Sequence, residues 1–195
     1  RQDSHNNLPF QRDVKLPTKS FTEEIWLNLT YPLKHQLKSP AVVDFNDSSR
    51  IESVNVLRFD GFGWWSSNVD GSGFARVAEY FGIDIASGAC LGIIGGGGAA
   101  RSTAHTWTTL GGSVKALGGK RDLNDYDWFN GADPSERTCD VLVNFDDDSY
   151  PEDITVNGFC VKSQYHPIEG EYADRVAAVK HKIVDGRWLL AAQHL

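Results

Sequence analysis

The sequence predicts an α/β fold in which a parallel sheet forms the larger part of the chain and a smaller α/β region precedes it. Two observations predict the sheet. Segments typical of strands and helices alternate from Ala89 to Leu195, and four glycines separate the first of these strands from the next helix. A third observation predicts the smaller region, because the chain before Asp70 does not follow this alternation. We therefore expect two regions of different architecture.

The region before Asp70 is predicted to contain a strand, a helix start and a hairpin. Their signals are an apolar stretch, a proline suited to the first helical position, and two apolar segments around a turn. In chain order these are Phe21–Leu29, Pro32, and Val54–Phe59 with Trp64-Trp65 around Asp60-Gly61. We expect the two tryptophans to pack in a core, with a place in the wall of a cleft as the alternative.

The apolar period then changes to that of helices and strands in alternation. Apolar residues at helical spacing predict a helix over 74–81 that ends at Gly82. The later elements are a strand at 89–94, a helix at 99–110, strands at 113–117, 140–145 and 154–161, and a helix striped by Tyr172, Val176, Val179 and Ile183. This order is typical of a parallel sheet with helical connections.

The composition is that of an ordinary globular protein. Of the 195 residues, 41% are hydrophobic and 23% are charged, which excludes wholesale disorder. The formal net charge of −7 argues against a nucleic-acid binder, and no apolar run reaches the roughly 18 residues of a membrane span. The scattered cysteines Cys90, Cys139 and Cys160 favour free thiols in a reducing compartment. With no signal peptide in view, we expect a cytoplasmic protein.

The four glycines stand where a phosphate-binding turn is expected. The run Gly95–Ala100 fits G-x-G-x-x-A, directly after a predicted strand and before a predicted helix. Glycines let the backbone approach a pyrophosphate, and the helix N-terminus supplies N–H groups and the positive end of the helix dipole. This context predicts a dinucleotide site, and a merely flexible loop is the alternative.

Two cations indicate which dinucleotide is bound. A site specific for NAD carries Asp or Glu about 20 residues after the glycines, where it binds the ribose hydroxyls. Here the second strand ends in Leu117-Gly118-Gly119 and is followed by Lys120 and Arg121. Positive charges suit the 2′-phosphate of NADP, so we expect NADP, with two solvated surface charges as the alternative.

Six segments resemble motifs of the shikimate dehydrogenase family, and they occur in the family's order. They are Asn28-Leu29-Thr30-x-Pro32-x-Lys34 (N-V-T-x-P-x-K), Ser53-Val54-Asn55 (A-V-N-T), Asn68–Phe74 (N-T-D-G-x-G-F), Gly95–Arg101 (G-A-G-G-A-A-R), Tyr165-His166-Pro167 (Y-x-P), and Asp185-Gly186 with Leu189–Gln193 (D-G-x-x-M-L-v-x-Q). Together these matches are far more specific than any one of them.

The resemblance implies an NADP-dependent oxidoreductase of the chorismate pathway that interconverts 3-dehydroshikimate and shikimate by hydride transfer. It implies that Lys34 assists proton transfer at the ring oxygen and that Asp70 holds the lysine. By composition alone, Asp70 is a good helix N-cap and Lys34 an ordinary lysine. The implied substrate-binding residues are Asn28, Thr30, Asn55, Tyr165 and Gln193. The implied cofactor-binding residues are Gly95, Gly97, Gly98, Ala99, Ala100, Lys120, Arg121 and Asn144.

The resemblance also implies an organisation into three parts. Residues 1–66 form a shortened substrate-binding region, residues 67–184 a Rossmann-like NADP-binding domain, and residues 185–195 a C-terminal helix that returns to the substrate region. The expected partner is a small polyol carboxylate, with no metal, nucleic acid or membrane, and a monomer and a homodimer both fit.

The sequence departs from the family's pattern at three places. No S-x-S precedes Ser4-His5-Asn6, so the substrate region is expected to be shortened. The family's N-R-T is replaced by Gly118–Arg121, which shifts the cation by a residue or two. The third strand ends in Asn144 and then Asp146–Asp148, three carboxylates that would repel a phosphate unless they point away. We expect a solvated loop there, with a metal site as the alternative.

These departures keep two other functions open. One is a dehydrogenase that prefers quinate, and the other is a shortened homologue that binds nucleotide or substrate without turnover.

Overall fold

The computed structural model describes residues 24–30, 33–35, 42–147, 149–163 and 182–194. It divides the chain into two compact units, residues 1–69 (unit 1) and residues 70–195 (unit 2). Each unit has its own sheet and its own hydrophobic core. None of the helices within these ranges is long and apolar enough to cross a membrane.

Unit 1 contains a four-stranded mixed sheet. Its strands are β1 (Ile25–Asn28), β2 (Val42–Asp44), β3 (Val56–Phe59) and β4 (Trp64–Ser67), in the order β1-β3-β4-β2. β3 pairs antiparallel with both β1 and β4, whereas β2 pairs parallel with β4. The predicted first strand and the hairpin are confirmed. Pro32 lies outside the described residues, and a short 3₁₀ turn follows it at Leu33–His35.

The hairpin places one tryptophan inside and its neighbour outside, because successive strand residues point to opposite faces. Trp64 packs on Phe59 in the core of unit 1, with ring centroids 5.3 Å apart. Trp65 lies on the outer face, in register with Arg58 of β3. Core packing is therefore confirmed for Trp64 and wrong for Trp65.

Asp60 holds the turn of this hairpin. Its carboxylate accepts hydrogen bonds from the N–H groups of Phe62 and Gly63, both at 2.9 Å, and from Nε1 of Trp65 at 2.7 Å. These three donors stabilise the charged form and lower the pKa of Asp60 to about 2. One carboxylate thus fixes both the turn and the outward tryptophan.

Unit 2 contains a five-stranded sheet in which all pairings are parallel. Its strands are β5 (Cys90–Ile94), β6 (Ser113–Ala116), β7 (Thr138–Asn144), β8 (Thr155–Lys162) and β9 (Lys182–Val184), in the order β6-β5-β7-β8-β9. The helices among the described residues of this unit are α1 (Asp70–Tyr80), α2 (Gly98–Thr109) and α3 (Gly186–Gln193). The predicted α/β class with a parallel sheet is confirmed.

One predicted helix is wrong at its end. Tyr172, Val176 and Val179 lie outside the described residues, but Ile183 lies in β9, where it is in register with Cys160 of β8. A three-residue strand is too short to show a period of its own, so its apolar residue continued the helical spacing of the segment before it.

The core of unit 2 joins the sheet to α1 and α2. The apolar residues that predicted α1, among them Phe74 and Val77, are buried. Trp107 of α2 meets Phe74 edge-on at 6.0 Å and donates its indole N–H to the carbonyl of Ala89 at 2.8 Å. Helix α1 packs against both α2 and α3.

Candidate functional site

The glycine turn lies where the strand order of unit 2 reverses. The chain passes from β5 to β6 on one side and afterwards to β7 on the other side. In open α/β sheets, such a switch point at the carboxyl ends of the strands is where ligands bind. The motif thus lies at the position in the fold that its proposed role requires.

The backbone of the turn explains its glycines. Gly95 has a φ of +104°, which favours glycine, and its N–H donates to the carbonyl of Gly118 at 2.7 Å. Gly97 is the N-cap of α2 and makes no side-chain cap. Gly98, Ala99 and Ala100 form the first turn, which has no acidic residue. A helix start of this kind suits an anion, because its first N–H groups have no partner within the helix.

The structure brings Lys120 and Arg121 next to this turn. A Cβ built on Gly96 would lie 3.0 Å from the carbonyl carbons of Arg121 and Asp122. The two backbones therefore approach so closely that only glycine fits at position 96 without a shift. Both basic side chains are exposed. They stand beside the turn, at the end of the strand that neighbours β5.

The side chain of Asn144 forms hydrogen bonds with the acidic loop, which we define as residues 145–149. Its Oδ1 accepts from the N–H groups of Asp146 at 2.9 Å and Asp147 at 3.1 Å. Its Nδ2 donates to Asp147 Oδ1 at 2.8 Å and to the carbonyl of Ser149 at 2.7 Å. The carboxamide of Asn144 is thus engaged by the acidic loop, and its predicted contact with the cofactor stays a prediction.

Asp147 is turned into the loop rather than out of it. It accepts from the hydroxyl of Ser149 at 2.6 Å and from the N–H of Ser149 at 2.8 Å, and these bonds lower the pKa of its carboxyl. Asp148 lies outside the described residues. Within the described ranges, no three histidine, cysteine, aspartate or glutamate side chains are grouped as a metal ion requires.

Lys34 and the predicted substrate residues of unit 1 lie around the start of β3. The carbonyl of Lys34 accepts from the N–H of Val54 at 2.7 Å, and the carbonyl of Asn55 accepts from the N–H of Leu29 at 2.6 Å. Leu29 lies between Asn28 and Thr30, whose side chains are exposed. The structure thus brings Lys34, Asn28, Thr30 and Asn55 into one part of unit 1.

Asn55 is the most enclosed of these side chains, at 3% exposed. Its Oδ1 accepts from the N–H of Val69 at 3.0 Å, which fixes the orientation of the carboxamide. The residue before Val69, Asn68, is also buried and is not among the predicted site residues. Nδ2 of Asn68 donates to the carbonyl of Ser53 at 3.0 Å and to its hydroxyl at 2.7 Å. The feature of the sequence that could have identified Asn68 is its place in the segment Asn68–Phe74, two residues before Asp70.

Gln193 packs on the first turn of α1, the turn that Asp70 begins. Asp70 is the first residue of α1 and is 5% exposed. A Cβ built on Gly73 would lie 2.8 Å from Cγ of Gln193, so the end of α3 packs on this turn. Ser102 of α2, which no sequence motif indicated, accepts a hydrogen bond through its hydroxyl from the N–H of Gly71 at 3.0 Å. Tyr165 lies outside the described residues.

Comparisons with known proteins show which proteins the chain is similar to. No protein-family model matches the chain. The chain is 27% identical over 188 residues to the shikimate dehydrogenase (NADP(+)) of Aeropyrum pernix, a match that covers 85% of this chain and 68% of that relative. The chain is a relative of the shikimate dehydrogenases. The predicted resemblance to the shikimate dehydrogenase family is thereby confirmed.

Solved structures show that the fold is that of the shikimate dehydrogenases. Shikimate 5-dehydrogenase from Thermus thermophilus, in complex with shikimate, aligns with a TM-score of 0.68 and 24% identity over 86% of this chain and 68% of that chain. The ligand-free 5-ketofructose reductase of Gluconobacter sp. strain CHM43 aligns with a TM-score of 0.65 and 19% identity over 87% and 70%. Because a shikimate dehydrogenase and a differently named reductase share the fold, the substrate must be argued from the site.

Proposed function

We propose that this chain is an NADP-dependent shikimate dehydrogenase that interconverts 3-dehydroshikimate and shikimate by hydride transfer. The observation that carries the proposal is the position of Lys120 and Arg121 in a segment whose backbone, at Arg121 and Asp122, lies against a glycine turn at the switch point of the sheet. The relationship to shikimate dehydrogenases (NADP(+)) over 85% of the chain supports it.

The residues around the turn fit NADP by their chemistry. The glycines and the N-terminus of α2 would hold the pyrophosphate, and Lys120 and Arg121 would meet the 2′-phosphate. The close approach at Gly96 places the backbone of Arg121 directly beside the turn. When bound, NADPH supplies the hydride.

Lys34 and Asp70 are proposed to assist proton transfer to the oxygen of the substrate ketone. Hydride addition to a ketone leaves negative charge on the oxygen, and a lysine ammonium is able to stabilise that charge and donate the proton. A carboxylate such as that of Asp70 is able to orient an ammonium group through a charge-assisted hydrogen bond. We propose that it orients the ammonium and a ring hydroxyl of the substrate.

The remaining site residues are proposed to recognise the ring hydroxyls and carboxylate. Asn28, Thr30, Asn55, Tyr165 and Gln193 all carry groups that donate or accept hydrogen bonds. The carboxamide of Asn55 is held by the N–H of Val69, so it offers its hydrogen bonds in one orientation. A fixed orientation of this kind favours one arrangement of ring hydroxyls over another.

The decisive experiment follows the reduction of NADP by absorbance with shikimate and, in parallel, with quinate. We expect wild type to turn over shikimate, and Lys34→Ala or Asp70→Asn to lower kcat by about 10²–10⁴ with NADP affinity nearly intact. Because the pair acts as a unit, the double variant should be little worse than the worse single variant.

Matched controls are Glu79→Gln, an exposed carboxylate on the same helix as Asp70, and Arg50→Ala, an exposed cation of unit 1. Both should keep the kcat of wild type. If Lys34→Ala keeps that kcat as well, the catalytic pair is wrong. NADP binding without turnover of either substrate would instead establish a homologue that binds without catalysis, and a higher kcat/KM with quinate would establish a quinate dehydrogenase.

A further inference from the structure

Asp146 differs from its acidic neighbour in the direction of its carboxylate. Asp147 is bound to Ser149 and Asn144 inside the acidic loop. Asp146 instead reaches across to the segment that follows β6, where its Oδ2 accepts the backbone N–H of Lys120. One of the three aspartates therefore faces the region where repulsion of a phosphate was expected.

The carboxylate of Asp146 fills the space between the glycine turn and residues 119–122, which we call the basic segment. A Cβ built on Gly95 would lie 3.0 Å from its Oδ1, and one built on Gly119 would lie 2.6 Å from its Oδ2. The same Cβ built on Gly119 would lie 2.6 Å from the backbone nitrogen of Gly95. Nζ of Lys120 donates a second hydrogen bond between the same two residues, to the carbonyl of Asp146 at 3.3 Å.

The opposite side of the basic segment is held by the turn itself. The backbone of Arg121 and Asp122 lies against Gly96, with no room for a Cβ. The segment from Gly119 to Asp122 is thus enclosed between Asp146 and Gly96. A carboxylate that accepts a backbone N–H makes a strong hydrogen bond, so its loss should release the segment on that side.

We propose that Asp146 is a positioning residue that determines cofactor specificity: it binds the N–H of Lys120 and so holds Lys120 and Arg121 where they meet the phosphate that distinguishes NADP from NAD. This inference rests on the proposed function. It assigns an acidic residue a favourable role in binding an anionic cofactor. Simple repulsion between Asp146 and the phosphate predicts the opposite change when the carboxylate is removed.

The test compares Asp146→Ala and Asp146→Asn with wild type by titrating the full chain with NADP and, separately, with NAD. In Asp146→Ala we expect the Kd for NADP to rise about tenfold and that for NAD to change less than about threefold, because only NADP uses the basic pair. Asp146→Asn keeps an oxygen that can accept the N–H of Lys120, so its preference should stay within about threefold of wild type. Glu152→Ala, which removes an exposed carboxylate elsewhere, is the charge control and should change neither Kd.

A second measurement reads the positioning without any cofactor. Amide hydrogen exchange should show Lys120 protected in wild type and in Asp146→Asn, and exposed in Asp146→Ala. Gly96→Ala displaces the same segment from its other side and should also lower the preference for NADP. If Asp146→Ala does not fold, the NADP preference of Gly96→Ala carries the test.

Three results would overturn the inference. Tighter NADP binding by Asp146→Ala would show repulsion instead of positioning, and an unchanged NADP preference in Asp146→Ala or Gly96→Ala would show that the segment needs no such support. If wild type binds NADP and the variants keep its preference for NADP over NAD, only the role of Asp146 is refuted and the proposed function stands. Wild type that binds neither dinucleotide refutes the proposed function, and the specificity role with it.

Discussion

A methyl group at Gly71 is expected to force apart α1 and α2 directly beside Asp70. A Cβ built there would lie 2.2 Å from the carbonyl oxygen of Ser102 and 2.3 Å from Oγ1 of Thr106. Ordinary contacts of this kind begin at 3.4 Å, so the overlap exceeds 1 Å. The threonine side chain is able to rotate away, but the carbonyl belongs to the backbone of α2. The two helices must therefore separate in Gly71→Ala.

The size of the effect follows from three contributions. Overpacking of a close contact costs about 2 kcal/mol, and loss of the hydrogen bond from the N–H of Gly71 to Ser102 costs about 1 kcal/mol more. The higher helix propensity of alanine offsets about 1 kcal/mol. We therefore expect Gly71→Ala to lower the free energy of unfolding by about 2 kcal/mol, which corresponds to about 4–8 °C in Tm.

Thermal and urea unfolding, followed by circular dichroism, measure this change. Gly63→Ala is the control, since a Cβ at that position has nothing within 4 Å, and we expect it to alter stability by no more than about 0.5 kcal/mol. A Gly71→Ala variant as stable as wild type would refute the inference that α1 and α2 pack too closely at Gly71 for a side chain to fit between them. Equal losses in both variants would point to glycine content rather than to packing.

Other changes separate the roles of single side chains. Gln193→Ala should raise KM for shikimate while Tm changes little, and a large loss of Tm with unchanged kinetics would show a structural role. Because the pKa of Asp60 is lowered to about 2, its contribution to stability is present above the ordinary carboxyl pKa of 3.8 and is lost as the pH falls towards 2. The difference in urea midpoint between wild type and Asp60→Ala should therefore shrink between about pH 6 and about pH 2.5, and a constant difference would contradict this assignment. Burial raises the pKa of Cys139 to about 11 and of Cys160 to about 12. Both thiols should resist a disulfide reagent at about pH 8 until urea unfolds the protein, and stability should fall above about pH 9 because the unfolded thiols ionise first. Fast labelling of the native protein would contradict their burial.

Most of the parallel sheet of unit 2 could be predicted because its strands are short apolar runs, and glycines bound the first two of them, β5 and β6. The strand predicted at 89–94 is observed at Cys90–Ile94, and the helix predicted at 99–110 is observed at Gly98–Thr109. The last strand escaped prediction because Lys182–Val184 is shorter than any period that could identify it. Which strands become neighbours is likewise a property of the whole sheet and not of any segment.

The candidate site was predictable where one segment carries the signal, and not where two segments meet. The glycine turn was recognised because a strand, the glycines and a helix follow one another in the sequence. The contact between Gly96 and Arg121 joins residues far apart in the sequence and exists only because β5 and β6 are adjacent. The direction of Asp146 was undetermined for the same reason, since counting charges in a loop does not say which of them turns towards a neighbouring strand.

The hairpin of unit 1 contains an ambiguity that Asp60 resolves. Strand β4 reads Trp-Trp-Ser-Ser, so either face of the strand offers one tryptophan and one serine. Hydrophobicity alone therefore gives almost no reason for Trp64 rather than Trp65 to enter the core, and a shift by one residue would exchange them. The carboxylate of Asp60 makes the choice, because it binds the indole of Trp65 as well as the turn. Two nearly equivalent arrangements of the same strand are thus separated by a surface residue, and a chain without it would be expected to populate both.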